Sequence, residues 1–323
     1  MKRVHGIHHV TAIAGDPQTN LDFYVGLLGM RLVKRSVNQD DPGTYHLFYA
    51  DADGNPGTDL TFFPWVQMAP GRMGAGLAIE VSLAVAPGAL DFWHTRLEGN
   101  GVKIRPIETR FGERALPFTD PHGLEVTLVE TSREFAAWDK SPIAPEHQIR
   151  GLHSVRLWEL DRKRSVAFGE HAMGFTVLGE ENGWLRVGAG GNGSGQIADL
   201  REVPGAQRGS WGTGTIHHVA WRVKDDTDQL TVRAQVESAG ARPTEVIDRF
   251  WFKSVYYHEP GGVLFELATD GPGFAVDEDH AKLGEALILP PWLEQHRIEI
   301  ERVLPVLKPA SGPRRKATSR SAT

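Results

Sequence analysis

Two histidine pairs and one glutamate have the clearest chemical reach in this chain. The tripeptide Ile7-His8-His9 returns as Ile216-His217-His218, and Glu266 follows the second copy. Each pair opens a run that predicts a β-strand, His8-His9-Val10-Thr11-Ala12-Ile13 and His217-His218-Val219-Ala220-Trp221-Arg222-Val223. Glu266 lies in another, Gly262-Val263-Leu264-Phe265-Glu266-Leu267. Side chains alternate along a strand, so only one histidine of each pair is expected on a given face. Two imidazoles and one carboxylate converging from separate strands make a facial triad. Such a triad leaves open positions on an octahedral metal such as Fe(II).

Composition bounds the alternatives. The 323 residues suffice for two domains with real cores, and 40% apolar with 24% charged content is that of a soluble globular protein. No signal pattern and no apolar run near twenty residues is present, so no membrane role is expected and a reducing cytoplasm is the expected location. With no cysteine, disulfides, zinc–thiolate sites, iron–sulfur clusters and cysteine nucleophiles are excluded. Any metal must be held by His, Asp or Glu. A net charge of −6 argues against a nucleic-acid partner. The exception is residues 308–323, where Arg314, Arg315, Lys316 and Arg320 sit among Pro, Ser and Gly; this segment reads as a disordered basic tail.

The elements that must position these residues repeat. After the strand at 7–14, Asp16-Pro17 is a helix start, and Leu21, Tyr24, Val25 and Leu28 fall on one helical face that Gly29 ends. Strands follow at 30–38, 45–50 and 58–65, separated by Asp41-Pro42-Gly43 and Asp53-Gly54-Asn55-Pro56-Gly57. This β-α-β-β-β module (5–65) recurs at 76–131, 151–203 and 215–270. The expected fold is therefore α+β, with four modules paired into two curved, half-barrel mixed sheets. The domains are expected at 5–135 and 150–270, followed by an extension at 271–307 with a helix from Pro291 to Val303. Aligned, the slot of His9 holds Glu80, Ser154 and His218; the slot of Glu266 holds Thr61, Thr127 and Asp199. Only modules one and four together offer His, His and carboxylate, so their strands must share a sheet or cavity, leaving modules two and three to pair. Glu80 and Asp199 look like a lapsed counterpart site.

At this point the chain resembles the vicinal oxygen chelate superfamily, which includes glyoxalase I, bleomycin-resistance proteins and the extradiol ring-cleaving dioxygenases. More closely, Gly6-Ile7-His8-His9-Val10-Thr11, Asn55-Pro56-Gly57-Thr58 and Phe62-Phe63-Pro64 resemble the hydroquinone-type ring-cleaving dioxygenases. The resemblance spans about residues 5–270. It implies that His9, His218 and Glu266 hold Fe(II), with Mn(II) as the alternative ion. It also implies that Arg249, Tyr256, His8 and His217 surround the metal ligands, and that the partners are a small aromatic diol and O₂. A homo-oligomer is left open.

The chemistry can be read without the family. Three open metal positions suffice for a phenolic oxygen and O₂ together, and the metal eases loss of the phenolic proton. Tyr256 or His217 could accept or return that proton. Arg249 could stabilise developing charge, and Trp251 and Phe252 could wall a flat apolar pocket. Each residue also has a plainer reading: Tyr256 as a packed core aromatic, Arg249 as the partner of a surface carboxylate such as Glu245, His153 as an ordinary buried histidine. Gly188-Ala189-Gly190-Gly191-Asn192-Gly193 matches a dinucleotide fingerprint, but a strand rather than a helix follows, so it reads as a hairpin loop. Two rival functions share the scaffold. A Ni- or Zn-dependent glyoxalase-type lyase or isomerase would want a fourth ligand where Thr61 stands, and a metal-free binding module would not need the triad.

Overall fold

A computed structural model describes residues 2–312. The four modules appear in chain order. Module one holds β1 (Ile7–Ala14), α1 (Pro17–Leu21, widening into a π-helix over Asp22–Leu27), β2 (Arg31–Asn38), β3 (Asp41–Ala50) and β4 (Asp59–Pro64). Module two holds β5 (Leu77–Val85), α2 (Leu90–Gly99), β6 (Lys103–Ile104), β7 (Glu108–Arg110), β8 (Glu113–Thr119) and β9 (Glu125–Glu130). Module three holds β10 (Leu152–Glu159), α3 (Arg162–Phe168), β11 (Phe175–Glu181), β12 (Trp184–Ala189) and β13 (Ile197–Glu202). Module four holds β14 (Ile216–Val223), α4 (Asp226–Ser238), β15 (Ile247–Asp248), β16 (Lys253–His258) and β17 (Leu264–Thr269).

Local chemistry accounts for the element boundaries. Asp16 caps α1 by accepting from the Thr19 amide at 2.7 Å, and Pro17 sits in the first turn where its missing N–H is harmless. Leu90, Trp93 and Leu97 form the buried stripe of α2. The expected turn at Asp41-Pro42-Gly43 is instead the start of β3: Asn38 pairs with Asp41, so Gln39 and Asp40 alone make the hairpin. That shift carries Asp40 to the tip of the turn. In the extension the helix arrives in two parts, a tight 3-10 segment at Pro291–His296 and α5 (Arg297–Val303). The start of the basic tail runs beside α1, where the Lys308 amide donates to Gln18 and the Ser311 amide to Asp22. Arg314, Arg315, Lys316 and Arg320 lie outside the described residues.

The modules pair as first with fourth and second with third. One sheet runs β15-β16-β17-β14-β1-β4-β3-β2, and the other β11-β12-β13-β10-β5-β9-β8-β6. Each is mixed: β1 and β14 meet antiparallel at the centre, and each runs parallel to the last strand of its own module. The register bears out the alignment of slots. Thr11 faces Thr61, Ala220 faces Glu266, Ser82 faces Thr127 and Arg156 faces Asp199, each two residues beyond the first-strand slot of His9, His218, Glu80 and Ser154.

One expectation is overturned. Strict alternation would send the two histidines of a pair to opposite faces, but both central strands are bulged. Ile7 opposes Trp221 while His9 opposes Ala220, which makes His8 an extra residue in β1. Thr11 opposes His218 while Ala12 opposes Ile216, which makes His217 the extra residue in β14. A bulge re-aims the side chains around it, and here it brings both rings of each pair into contact.

Candidate metal centre

The bulges set up two matched imidazole contacts. His8 Nδ1 lies 2.9 Å from His9 Nδ1, and His217 Nδ1 lies 2.8 Å from His218 Nδ1. His8 Nε2 also sits 3.1 Å from the carbonyl oxygen of Thr269, which can only accept. His8 Nε2 therefore carries the proton, and its Nδ1 accepts from the Nδ1–H of His9. The chain of tautomers ends with a bare lone pair on His9 Nε2. Burial and the neighbouring His9 push His8 down to about 3, so it stays neutral and keeps this arrangement. Burial and His218 likewise push His217 down to about 3.

Three buried atoms then converge. His9 Nε2 lies 3.2 Å from His218 Nε2 and 3.2 Å from Glu266 Oε2, and His218 Nε2 lies 3.0 Å from the same oxygen. Glu266 is fully buried and its Oε2 has no hydrogen-bond partner, while its Oε1 accepts from the Ser254 hydroxyl at 2.5 Å. Burial alone would raise the Glu266 carboxyl, but His9 and His218 hold it well below the usual carboxylate range. His9 Nε2 and Glu266 Oε2 are thus electron-pair donors, and His218 Nε2 is a third whenever His218 donates its Nδ1–H to His217; a cation at the centre favours that arrangement, and in its absence a shared proton holds the cluster together. Ligands at bond lengths of about 2.1 Å and right angles to one another would be about 3.0 Å apart. All three edges of this triangle match, so the donor set fits one face of an octahedral ion.

The triad opens on a cavity of about 340 Å³. Trp251, Phe252 and Leu264 from module four and Phe48, Phe63 and Trp65 from module one wall it. Tyr256 and Arg249 line it too, and Arg249 also pairs with a surface carboxylate, as its plainer reading expects, though that partner is Asp40 rather than Glu245. Tyr256 meets His218 edge-on at 5.6 Å between ring centroids, whereas Tyr257 points into the core and its hydroxyl meets Met173. Burial, reinforced by the Glu266 charge, raises the Tyr256 hydroxyl above the usual phenol range, so it is a proton donor at neutral pH. The Arg249 guanidinium lies 5.5 Å from the Tyr256 ring centroid and is gripped by both oxygens of Asp40, at 2.8 and 3.1 Å. Glu245 pairs with Arg233 instead. The Asp40 contact joins the β2–β3 turn of module one to module four across the cavity mouth.

His46 lines the same cavity, and sequence reasoning passed over it. Its Nε2 lies 2.9 Å from the Thr61 hydroxyl, which is 2.7 Å from the hydroxyl of Thr11. The signal was present in the repeat: His46 on β3 stands where Ser254 stands on β16, and Thr61 stands where Glu266 does.

The counterpart slots in modules two and three are filled by guanidinium groups. Arg110 reaches Glu80 at 2.5 Å, Arg186 grips both oxygens of Asp199 at 2.8 and 3.1 Å, and Arg156 lies between the two acids at 3.8 and 3.7 Å. His153 sits 3.2 Å from Glu113. Positive charge is built in where a cation would otherwise be wanted.

Comparison with known proteins agrees with this geometry. The model of the Glyoxalase/Bleomycin resistance protein/Dioxygenase superfamily matches residues 6–128 and 151–267. A Bacillus subtilis (strain 168) protein named "Putative ring-cleaving dioxygenase MhqO" is 44% identical over 304 residues, 94% of this chain and 96% of its own. The chlorohydroquinone/hydroquinone 1,2-dioxygenase of Sphingobium indicum is 33% identical over 313 residues, covering 94% of this chain and 97% of its own. A crystal structure from Bacillus subtilis subsp. subtilis str. 168, also described as a putative dioxygenase, superposes with a TM-score of 0.92 at 42% identity, over 96% of this chain and all of that one. Two family matches that together cover most of the chain, on modules paired as the fold requires, place it in the glyoxalase/bleomycin resistance protein/dioxygenase superfamily.

Proposed function

We propose that the chain is a ring-cleaving dioxygenase that uses Fe(II), with Mn(II) as the alternative ion, to open an aromatic 1,4-diol in preference to a catechol. The observation that carries the reading is the triangle of buried ligand atoms on His9, His218 and Glu266, opening into an aromatic-walled cavity. When bound, the ion supplies Lewis acidity toward a phenolic oxygen and the redox chemistry that O₂ requires. Both atoms of one O₂ enter the ring-opened product, so no external reductant is needed.

The chain's own residues do the rest. Aromatic walls hold a flat ring and exclude water. Tyr256 holds its proton and delivers it to an oxygen that gains charge. Arg249, fixed by Asp40, stabilises that charge with a planar, permanently protonated group. With His218 bound to the ion through Nε2, its Nδ1–H would donate to His217 Nδ1, and His217 would then present Nε2–H to the cavity as a donor. Relatives at 44% and 33% identity that are named as ring-cleaving and hydroquinone-cleaving dioxygenases support the substrate class. A glyoxalase-type reaction has less support, because the fourth-ligand slot holds Thr61, whose hydroxyl is already shared between Thr11 and His46.

The test is metal analysis of anaerobically purified protein, then oxygen uptake with hydroquinone, with catechol, and with methylglyoxal plus glutathione. Iron-dependent uptake with hydroquinone is expected. Turnover of methylglyoxal–glutathione without oxygen uptake would overturn the reading.

A further inference from the structure

The cavity has two polar ends. One is the triad, with His217, Tyr256 and Arg249 about it. The other is the wall built by β3 and the β2–β3 turn. There the Asn38 side chain accepts from the Asp40 amide, Gln39 donates to the Arg249 carbonyl, Asp40 holds Arg249, and Asp41 accepts from Trp65. Two side-chain nitrogens of this wall have no partner among the described residues, the amide of Asn38, whose oxygen alone is engaged, and Nδ1 of His46, left for a ligand once Thr61 engages Nε2. Its ring is clamped between Phe48 and Phe63, with centroids 3.8 and 4.4 Å away, so it is preset in position.

We infer that His46 receives the second oxygen of the substrate, the one para to the oxygen at the metal, and so selects 1,4-diols over 1,2-diols. The inference rests on the ring-cleaving reading above and names a residue for its substrate preference. Strand order sets the distance. His9 is on β1 and His46 on β3, with β4 between them. Two strand spacings are roughly 10 Å, the span that a benzene ring must bridge when one oxygen is at the ion and the other hydrogen-bonds to the wall. A catechol keeps both oxygens at the metal end and leaves His46 facing a bare ring edge. A monophenol does the same. An imidazole can donate or accept toward a phenolic O–H, and a site built to bond a hydroxyl rejects analogues that lack it.

Binding is read anaerobically on metal-loaded protein by quenching of the tryptophans that wall the cavity, with hydroquinone, phenol and catechol as probes. The wild type is expected to bind hydroquinone more tightly than phenol by roughly tenfold, the worth of one good hydrogen bond in a dry site. His46→Phe keeps a flat ring between Phe48 and Phe63 and should bind the two equally, with catechol affinity and metal content unchanged. His46→Gln, which restores a donor and an acceptor, should recover part of the preference. In air, the hydroquinone-to-catechol ratio of kcat/KM should fall with the same pattern. If His46→Phe keeps the wild-type preference for hydroquinone over phenol, the assignment is wrong while the dioxygenase reading stands. If the wild type binds no phenol and takes up no oxygen with any diol, both fall.

Discussion

The single atoms that matter most are Nε2 of His9 and of His218 and Oε2 of Glu266, because no other cluster of three or more His, Asp or Glu that could hold a metal occurs among the described residues. His9→Ala, His218→Ala and Glu266→Ala should each abolish iron binding in metal analysis. His8→Ala should retain iron with weakened affinity, of the order of 10–100-fold, the usual cost of losing the hydrogen bond behind a metal-binding histidine. Tyr256→Phe separates chemistry from binding: iron content and melting temperature should stay near wild type while turnover falls by about 10²–10⁴-fold. An iron-loaded Tyr256→Phe enzyme with full oxygen uptake would pass the proton-donor role to His217. Identical triplets and a carboxylate at the right strand position made the donors legible in the sequence. The tautomers were not legible, because they depend on Thr269, more than 250 residues from His8, and on a bulge. His46 was missed for a simpler reason: a lone histidine in Thr44-Tyr45-His46-Leu47-Phe48 reads as an ordinary alternating strand until β3 and β16 are overlaid.

Among the elements, the bulged central strands and the β2–β3 turn do most of the positioning. Alternation predicts faces correctly wherever the ladder is regular, as Leu90–Leu97 does for the helical period in α2 and Tyr256 against Tyr257 does for β16. It fails at His8 and His217 because a single inserted residue shifts the pleat, and no local composition marks the insertion. The hairpin likewise tightened to two residues, since pairing of Asn38 with Asp41 outweighed the turn preference of Pro42-Gly43. One result is that Asp40 reaches Arg249 from the other module. Asp40→Asn removes the charge that orients the guanidinium without touching a metal donor. It should lower kcat/KM by roughly tenfold with iron content unchanged, and the fold should be intact by circular dichroism. Unchanged kinetics would show that Arg249 is held well enough by Tyr256 alone.

At the scale of the whole molecule, the two halves have treated the same architecture differently. The first sheet keeps three uncompensated donors, while the second fills the corresponding slots with Arg110, Arg156 and Arg186. Modules three and four also meet at a buried carboxyl pair. Glu159 is fully buried with neither oxygen hydrogen-bonded, and the absent Cβ of Gly261 leaves room for it. Burial, with the Glu259 charge beside it, pushes Glu159 up to about 9 from an ordinary 4.5. The folded protein thus keeps a proton that the unfolded chain releases between those values. Its contribution to stability is complete below about 4.5 and is lost as pH rises toward about 9. The melting temperature should therefore fall as pH rises from about 4.5 to about 9, and Glu159→Gln should flatten the slope. An equally steep slope in Glu159→Gln would assign the pH dependence to other groups.

The crossed pairing of modules also fixes the order in which a working protein can come into being. A nascent chain that has emerged only through β13 carries β1 with one long edge bare, because the partner on that side, β14, has yet to be made. Hydrogen-bonding edges of that kind invite mispairing with other chains, and closing the contact spans some two hundred residues, which slows folding. The three converging side chains are therefore brought together only after β17 has been made. Neither half of the polypeptide carries all three of His9, His218 and Glu266, so a chain cut short before Glu266 cannot offer the complete set to a metal.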